Sequence, residues 1–381
     1  MSNERTVAIA LPSIGDEEWE ALREPLRSGW ITQGPQVKAF EQAFASRHRV
    51  PHALATTSCT TALHLALSAL GLGPGDEVIV PAFTWVATAN AVLYCGASPV
   101  FVDVLPDTYN IDPVAVEAAV TPRTRAVIPV HLFGLCAEMD AVRAAVPEKV
   151  RLIEDAACAA GASYRGQPAG GLGAAGCFSF HPRKSITTGE GGMLTTSDDE
   201  LAGRAEGLRN HGASVPEEVR HLGAAPYLLP DFDELGFNYR MTDLQGAVGL
   251  VQLTKLDGFV AERDKWARWY MEELADLKWL SMPALPEGYG HAWQSFVTVV
   301  GDGAPHPRNQ IMQALHERGI STRPGTHAVT ELGYYRKTFG MAPGQFKVAA
   351  ALQEHTMAIP LHNRMTEDDY EFVVEALHAF K

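Results

Sequence analysis

Apolar positions along this 381-residue chain fall into two textures. From about residue 52 to residue 197, short apolar runs alternate with stretches in which apolar positions recur at helical spacing. The runs predict strands at Glu77–Pro81, Pro99–Val104, Ala126–Val130, Arg151–Asp155, Cys177–Phe180 and Gly192–Thr196. The stretches between them predict helices at Thr60–Leu70, Ala87–Cys95, Pro113–Val120 and Ala137–Ala145. Strands that are short and continuously apolar have both faces covered, so this alternation predicts a three-layer αβα domain around a mostly parallel sheet. Its crossovers should be right-handed. A long helical region with polar breaks follows, from about Met241 to Leu277. After it come a strand at Ser295–Val300, a helix at Pro307–Arg318 and a terminal amphipathic helix at Thr366–Phe380, whose acidic first turn suits the helix dipole. Asp16–Ser28 also reads as helical. The expected class is therefore α/β: a large domain over residues 1–254 and a smaller α+β domain over 255–381.

Charge and composition narrow the possible partners. There are 31 Lys and Arg against 45 Asp and Glu, a net charge of −14. No cluster of basic residues is present to neutralise nucleic-acid phosphates or to dock on an anionic membrane. A local cradle can still bind a small anion on a negative protein. The apolar stretch Val7–Leu11 is too short for a signal-peptide core. The longest apolar run, Ala126–Ala137, is broken by Pro129, His131 and Gly134, so no membrane span is expected. Five cysteines, at 59, 95, 136, 158 and 177, form no CxxC pair, which suggests free thiols in a reducing cytoplasm and no metal site.

Four local features carry chemistry. Lys184 follows an apolar strand and precedes the glycine-rich turn Thr187–Gly192. A lysine at a buried strand end can lose hydration, which lowers its pKa and makes it nucleophilic toward carbonyls. Taken singly it also reads as a solvated loop lysine. Asp155 ends a predicted parallel strand, where α/β sheets gather ligands; a buried carboxylate there needs a cationic partner. An N-cap or an ion pair with arginine is its plainer role. Thr57-Ser-Cys-Thr-Thr61 opens a helix, where hydroxyls and free N–H groups can hold an anion or simply cap. Trp85, just after a strand, could stack on a flat heterocycle or pack in the core. Together these four match pyridoxal 5′-phosphate, PLP, whose aldehyde requires a lysine, whose ring nitrogen requires an acid and whose phosphate requires a helix start.

Longer motifs sharpen this reading. Among them are Arg27-Ser-Gly-Trp30, Gly34-Pro-Gln-Val37, Thr61-Ala-Leu-His-Leu-Ala-Leu67, Gly73-Pro-Gly-Asp-Glu-Val-Ile-Val-Pro81 and Asp107-Thr-Tyr-Asn-Ile-Asp112. Others are Glu154-Asp-Ala-Ala157, Phe178-Ser-Phe180, Thr188-Gly-Glu-Gly-Gly192, Arg209-Asn-His-Gly212 and Asn238-Tyr-Arg-Met-Thr-Asp-Leu-Gln245. With them the chain resembles, over nearly its whole length, the DegT/DnrJ/EryC1/StrS family of sugar aminotransferases of PLP fold type I. The resemblance implies Lys184 as the Schiff-base lysine and proton shuttle, Asp155 on the pyridine nitrogen and Trp85 stacked on the ring. It places Thr60, Thr61 and Ser179 on the phosphate, with Asn238 reaching it from the second subunit of a homodimer. It puts Arg240 on the carboxylate of the amino donor, L-glutamate, and Trp30 and His327 at the sugar site.

Two departures stand out. Cys158 and Ala160 replace residues that in the family are often Gln or His and often His, so Cys158 lies by the cofactor ring with only a weak hydrogen-bonding group. Cys59 stands where many members have glycine, which requires a negative φ there or some strain. The expected activity is transfer of an amino group from L-glutamate to a keto sugar, most simply a nucleotide-linked keto-deoxysugar. Amination of an inosose or octulosonate-type ketone is the other enzyme reading. A sugar dehydratase of this family would have histidine in place of Lys184, and a non-catalytic regulator would have lost the Lys184–Asp155 pair. Substrate choice is expected to reside in loops such as Gly212–Pro230.

Overall fold

The computed structural model describes residues 5–214, 229 and 231–380. Its centre is a seven-stranded sheet in the order His52–Thr56, Gly192–Thr196, Ala175–Ser179, Arg151–Asp155, Thr124–Val127, Glu77–Pro81, Ser98–Val102. Alternate residues of these strands enter opposite cores, as the two-residue pleat requires. Val78, Val80, Ile153, Cys177 and Leu194 join one cluster, while Ile79, Leu152, Phe178 and Met193 join the other. Helices cover both faces, so the three-layer α/β architecture is as the apolar runs imply.

The sheet differs from the sequence expectation in two places. Gly192–Thr196 runs antiparallel to both neighbours. Between Ala175–Ser179 and Gly192–Thr196 lies only a tight polar turn, closed by Phe180 N–H donating to Gly191 O at 2.9 Å. A chain that returns without a crossover helix can pair only antiparallel. The second difference is the edge strand His52–Thr56, which the apolar pattern misses because four of its five residues are His, Ala, Leu and Ala. Side chains complete its backbone bonding. Buried Arg209 donates to Ala55 O at 2.8 Å, and Glu41 accepts from Ala55 N–H at 2.7 Å. An arginine–glutamate pair thus occupies hydrogen-bonding groups that an edge strand would otherwise leave open.

The helical region after residue 240 is one unbroken helix, Asp243–Glu273, with Thr242 and Gln245 forming a capping box. Its N-terminal half packs on Pro35–His48, a helix the sequence pattern leaves out. A Cβ on Gly246 would lie 2.6 Å from Val37 N, so glycine permits that close approach. Its C-terminal half contributes Trp266, Ala267 and Tyr270 to a third cluster. That cluster is completed by the antiparallel strands Leu280–Ser281, Phe296–Val300 and Thr356–Ile359 and the helices Arg308–Glu317 and Glu367–His378. The helix therefore crosses residues 254 and 255 without a break. Asp16–Ser28 is two short helices, Asp16–Ala21 and Arg23–Ser28, tied to the long helix by buried Glu18 through Gln252 and Lys255. The two-residue strand His327–Ala328 pairs with Phe83–Thr84, bringing a C-terminal segment to the edge of the site described next.

Candidate active site

The site gathers at the end of Arg151–Asp155, and its foundation is a buried polar knot one residue earlier. Glu154 is fully buried; it accepts from the N–H groups of Gly170, Leu172 and Gly173 at 2.6, 2.8 and 2.8 Å. It also meets His131 Nε2 at 2.9 Å. His131 Nδ1 accepts from Ala137 N–H at 3.1 Å, so Nε2 carries the proton and donates to Glu154. A carboxylate with four donors is well compensated, and removing it strands all four. Glu154→Ala should cost about 3–5 kcal/mol of stability. Urea unfolding measures this, and a loss under about 1 kcal/mol would contradict it.

With Glu154 pinned, Asp155 projects from the strand end. It is buried; Thr88 Oγ1 donates to Oδ2 at 2.7 Å and Ala157 N–H donates to Oδ1 at 3.2 Å. Lys184 comes from the turn after Ala175–Ser179, where its N–H donates to His181 O at 2.8 Å. Thr187 Oγ1 and Thr188 N–H both donate to Phe180 O, at 2.8 and 3.0 Å, which closes that turn. Lys184 Nζ donates to Cys158 Sγ at 3.1 Å. Burial pulls the Lys184 ammonium down; the electrostatic pull of Cys158, the hydrogen bond to it, and the pull of Cys59 and Asp155 outweigh this and hold it above the ordinary lysine value. The sequence expectation of a lowered pKa is thus corrected: desolvation acts as expected, but the polar neighbours Cys158, Cys59 and Asp155 outweigh it. Cys59, Asp155, Cys158 and Lys184 are close enough to perturb one another.

The anion cradle lies alongside. Ser58 caps the helix Cys59–Ala69, accepting from Thr61 N–H at 3.2 Å, while Thr61 Oγ1 accepts from Ser58 N–H at 3.0 Å. Cys59 is the first residue of that helix and has no positive φ, so replacing glycine there carries no backbone strain. Its buried thiol donates to Cys177 O at 3.3 Å, and burial pushes its pKa well up. Gly192 pairs with both Thr56 and Ser179, placing Ser179 beside the helix start. A Cβ on Gly192 would lie 2.4 Å from the Ser58 carbonyl carbon and 2.6 Å from Cys59 N, so a side chain there would fill the cradle.

Trp85 is 60% exposed, so it is no core residue. His327 meets it edge-on at 5.5 Å between ring centroids. Arg240 pairs with Thr56 through its backbone, two residues before Ser58, and donates from Nη1 to Asn210 Oδ1 at 2.6 Å. Asn238 is exposed and pairs through its backbone with Asn210. Trp30 lies over Gly34, close to Asp243, its Nε1 donating to Gln33 O at 2.9 Å. Thr88 and His131 have no signal in the chain, since each looks like an ordinary helix or loop residue; Glu154 stands in a motif, but its bonds to His131 and residues 170–173 do not show in sequence. Most of the loop Gly212–Pro230 lies outside the described residues.

This donor set fits PLP. It has an amine for the aldehyde, a carboxylate for a protonated ring nitrogen, a hydroxyl-rich helix start for the phosphate and an exposed indole for a ring face. The DegT/DnrJ/EryC1/StrS aminotransferase family model matches residues 12–378. The chain belongs to that family. It is 40% identical to GDP-perosamine synthase of Caulobacter vibrioides over 380 residues, 99% of either chain. It is also 40% identical to the spore coat polysaccharide biosynthesis protein SpsC of Bacillus subtilis over 371 residues, 97% of this chain and 95% of that one. Among solved structures, Spr1654 of Streptococcus pneumoniae in its PMP and PLP forms superposes with a TM-score of 0.92 at 28% identity, covering 99% of this chain and 98% of that one. The protein is a PLP-dependent aminotransferase. No helix among the described residues is long and apolar enough to cross a membrane.

Proposed function

We propose that this aminotransferase moves the amino group of L-glutamate to a nucleotide-linked keto-deoxysugar, and that two subunits complete each site. The observation that carries the reading is the closeness of Lys184 to Asp155 and to Cys59, the first residue of the helix that Ser58 caps. Full-length likeness to a GDP-perosamine synthase supports the sugar class and makes a GDP-linked ketone the first to test.

When bound, PLP supplies a carbonyl that takes up the amine and a ring that accepts electrons from the carbon being deprotonated. Asp155 offers the ring nitrogen a carboxylate already oriented by Thr88 and Ala157. Thr60, Thr61, Ser179 and the first N–H groups of the helix Cys59–Ala69 hold the phosphate. Lys184 Nζ would be the amine that holds the cofactor through its carbonyl carbon, and when free it would move the proton at the reacting carbon. Cys158 Sγ, the acceptor for Nζ, sets where that amine rests. Trp85, with His327 against its edge, would cover a ring face of the cofactor, and Trp30 and His327 would contact the sugar.

Arg240 is the fork for the donor carboxylate. Arg240→Ala should raise KM for glutamate by about tenfold or more with a smaller change in kcat, and an unchanged KM would remove it from that role. Asn238, exposed in one subunit, reaches the phosphate of the other. Mixing inactive Lys184→Ala and Asn238→Ala proteins should restore activity through hybrid dimers with one intact site. No recovery would count against the shared site.

Substrate class is tested by loading the protein with pyridoxamine phosphate and offering GDP- and other nucleotide-linked keto-deoxysugars, an inosose and an octulosonate-type ketone. Return of the carbonyl-form absorbance should occur with a nucleotide-linked sugar. Faster return with a free cyclic ketone would overturn the assignment.

A further inference from the structure

Asp155 owes its orientation to a residue outside the family motifs noted above. Thr88 lies in the first turn of the helix Ala87–Tyr94 and is fully buried. Its Oγ1 is 2.7 Å from Asp155 Oδ2 and 3.1 Å from Thr84 Oγ1, and Thr84 is buried as well. An ionised carboxylate only accepts, so the single Thr88 proton is committed to Asp155. The Thr84 contact must then run the other way, with Thr84 donating to Thr88. Two hydroxyls in series polarise each other and strengthen the terminal hydrogen bond. On the other carboxylate oxygen, Oδ1, the donors are Ala157 N–H at 3.2 Å and the Cys59 thiol at 3.9 Å. That thiol is nearer Cys177 O, at 3.3 Å. Among the described residues, Thr88 is therefore the side chain that fixes the Asp155 carboxylate at ordinary hydrogen-bond distance.

The other end of the chain of hydroxyls lies next to Trp85. Thr84 precedes Trp85, and its backbone pairs with His327. One short relay thus links the segment that carries the indole and the edge-on histidine to the Asp155 carboxylate.

We propose that Thr88 is a positioning residue for the cofactor: its hydroxyl, polarised by Thr84, holds Asp155 in the rotamer that meets the ring nitrogen and draws charge away from that carboxylate. This rests on the placement of Asp155 at the ring nitrogen. Losing the hydroxyl frees the carboxylate to turn and changes its basicity, so cofactor affinity and the electronic state of the ring nitrogen should both respond.

The test uses full-length apoprotein titrated with PLP, followed by absorbance, and by the 15N shift of ring-labelled PLP in the bound state. Thr88→Val keeps the volume and removes the donor; it should weaken PLP binding about tenfold and move the ring-nitrogen shift. Thr88→Ser should keep both near the parent values. Thr84→Val, which touches no carboxylate, should move both in the same direction by less. Parent affinity and shift in Thr88→Val would overturn the proposal. So would Thr88→Ser as impaired as Thr88→Val, because that result points to methyl packing. If Thr88→Val does not fold, Thr84→Val decides, and an unmoved ring-nitrogen shift there overturns the relay. Asp155→Asn serves as the control: parent-like PLP binding by that variant would refute the placement of Asp155 itself, a result distinct from failure of Thr88 alone.

Discussion

Replacing Lys184 with alanine should abolish turnover, lowering kcat by about four orders of magnitude or more. The size follows from two roles in one side chain. Its amine would hold the cofactor covalently, and the same atom would move the proton at the carbon that gains or loses the amino group. No neighbour can take over. Cys158, the group nearest Nζ at 3.1 Å, is a soft thiol with one short arm. The fold should survive the change, because Lys184 is only half-buried and Ser185, Ile186, Thr187 and Thr188, not Lys184, are the buried part of the turn. PLP should still bind, held by the helix start, Asp155 and Trp85, but without covalent attachment. Single-turnover measurements with glutamate check this. Residual turnover within a hundredfold of the parent would show that another base does the work.

Asp155→Asn should be the next most damaging change, lowering kcat about 10²–10³-fold with little loss of stability. Asparagine is nearly isosteric; its amide oxygen can still accept from Ala157 N–H, and the Thr88 hydroxyl, which meets the other carboxylate oxygen, can turn to accept from the amide NH2. What disappears is the negative charge that favours a protonated ring nitrogen. That proton lets the ring accept electrons, so the loss falls on the chemical step and shows in kcat more than in KM. A kcat within tenfold of the parent would mean that ring protonation does not depend on this carboxylate.

How much of this was legible in the chain depends on where the physical signal resides. Strands such as Glu77–Pro81 carry an apolar run, Val78–Pro81, buried on both faces, and such runs can be read directly. His52–Thr56 could not be, because its place is secured by Arg209 and Glu41, 154 and 14 residues from Ala55 along the chain. The direction of Gly192–Thr196 followed from a short return loop, whose consequence shows only once the neighbouring strand is placed. Pro35–His48 is helical through packing on a helix more than 190 residues later, where Gly246 lets the backbones meet. In the site, Lys184, Asp155, Trp85 and the Ser58 cap could be read because each has its own local context. Thr88 and His131 act only through a carboxylate at the end of another strand, so no local spacing betrays them. The same reason inverted the expectation for the Lys184 pKa: burial is readable in a sequence, whereas the neighbours that outweigh it come together only in the folded site.

The most direct test of the account is borohydride reduction of the PLP-loaded protein, followed by digestion and mass mapping of the reduced cofactor. A single pyridoxyl mark on Lys184 is expected, absent from Lys184→Ala and prevented by prior conversion to the pyridoxamine form. A mark on any other lysine, or none at Lys184, would contradict the assignment of this pocket as the site of amino transfer.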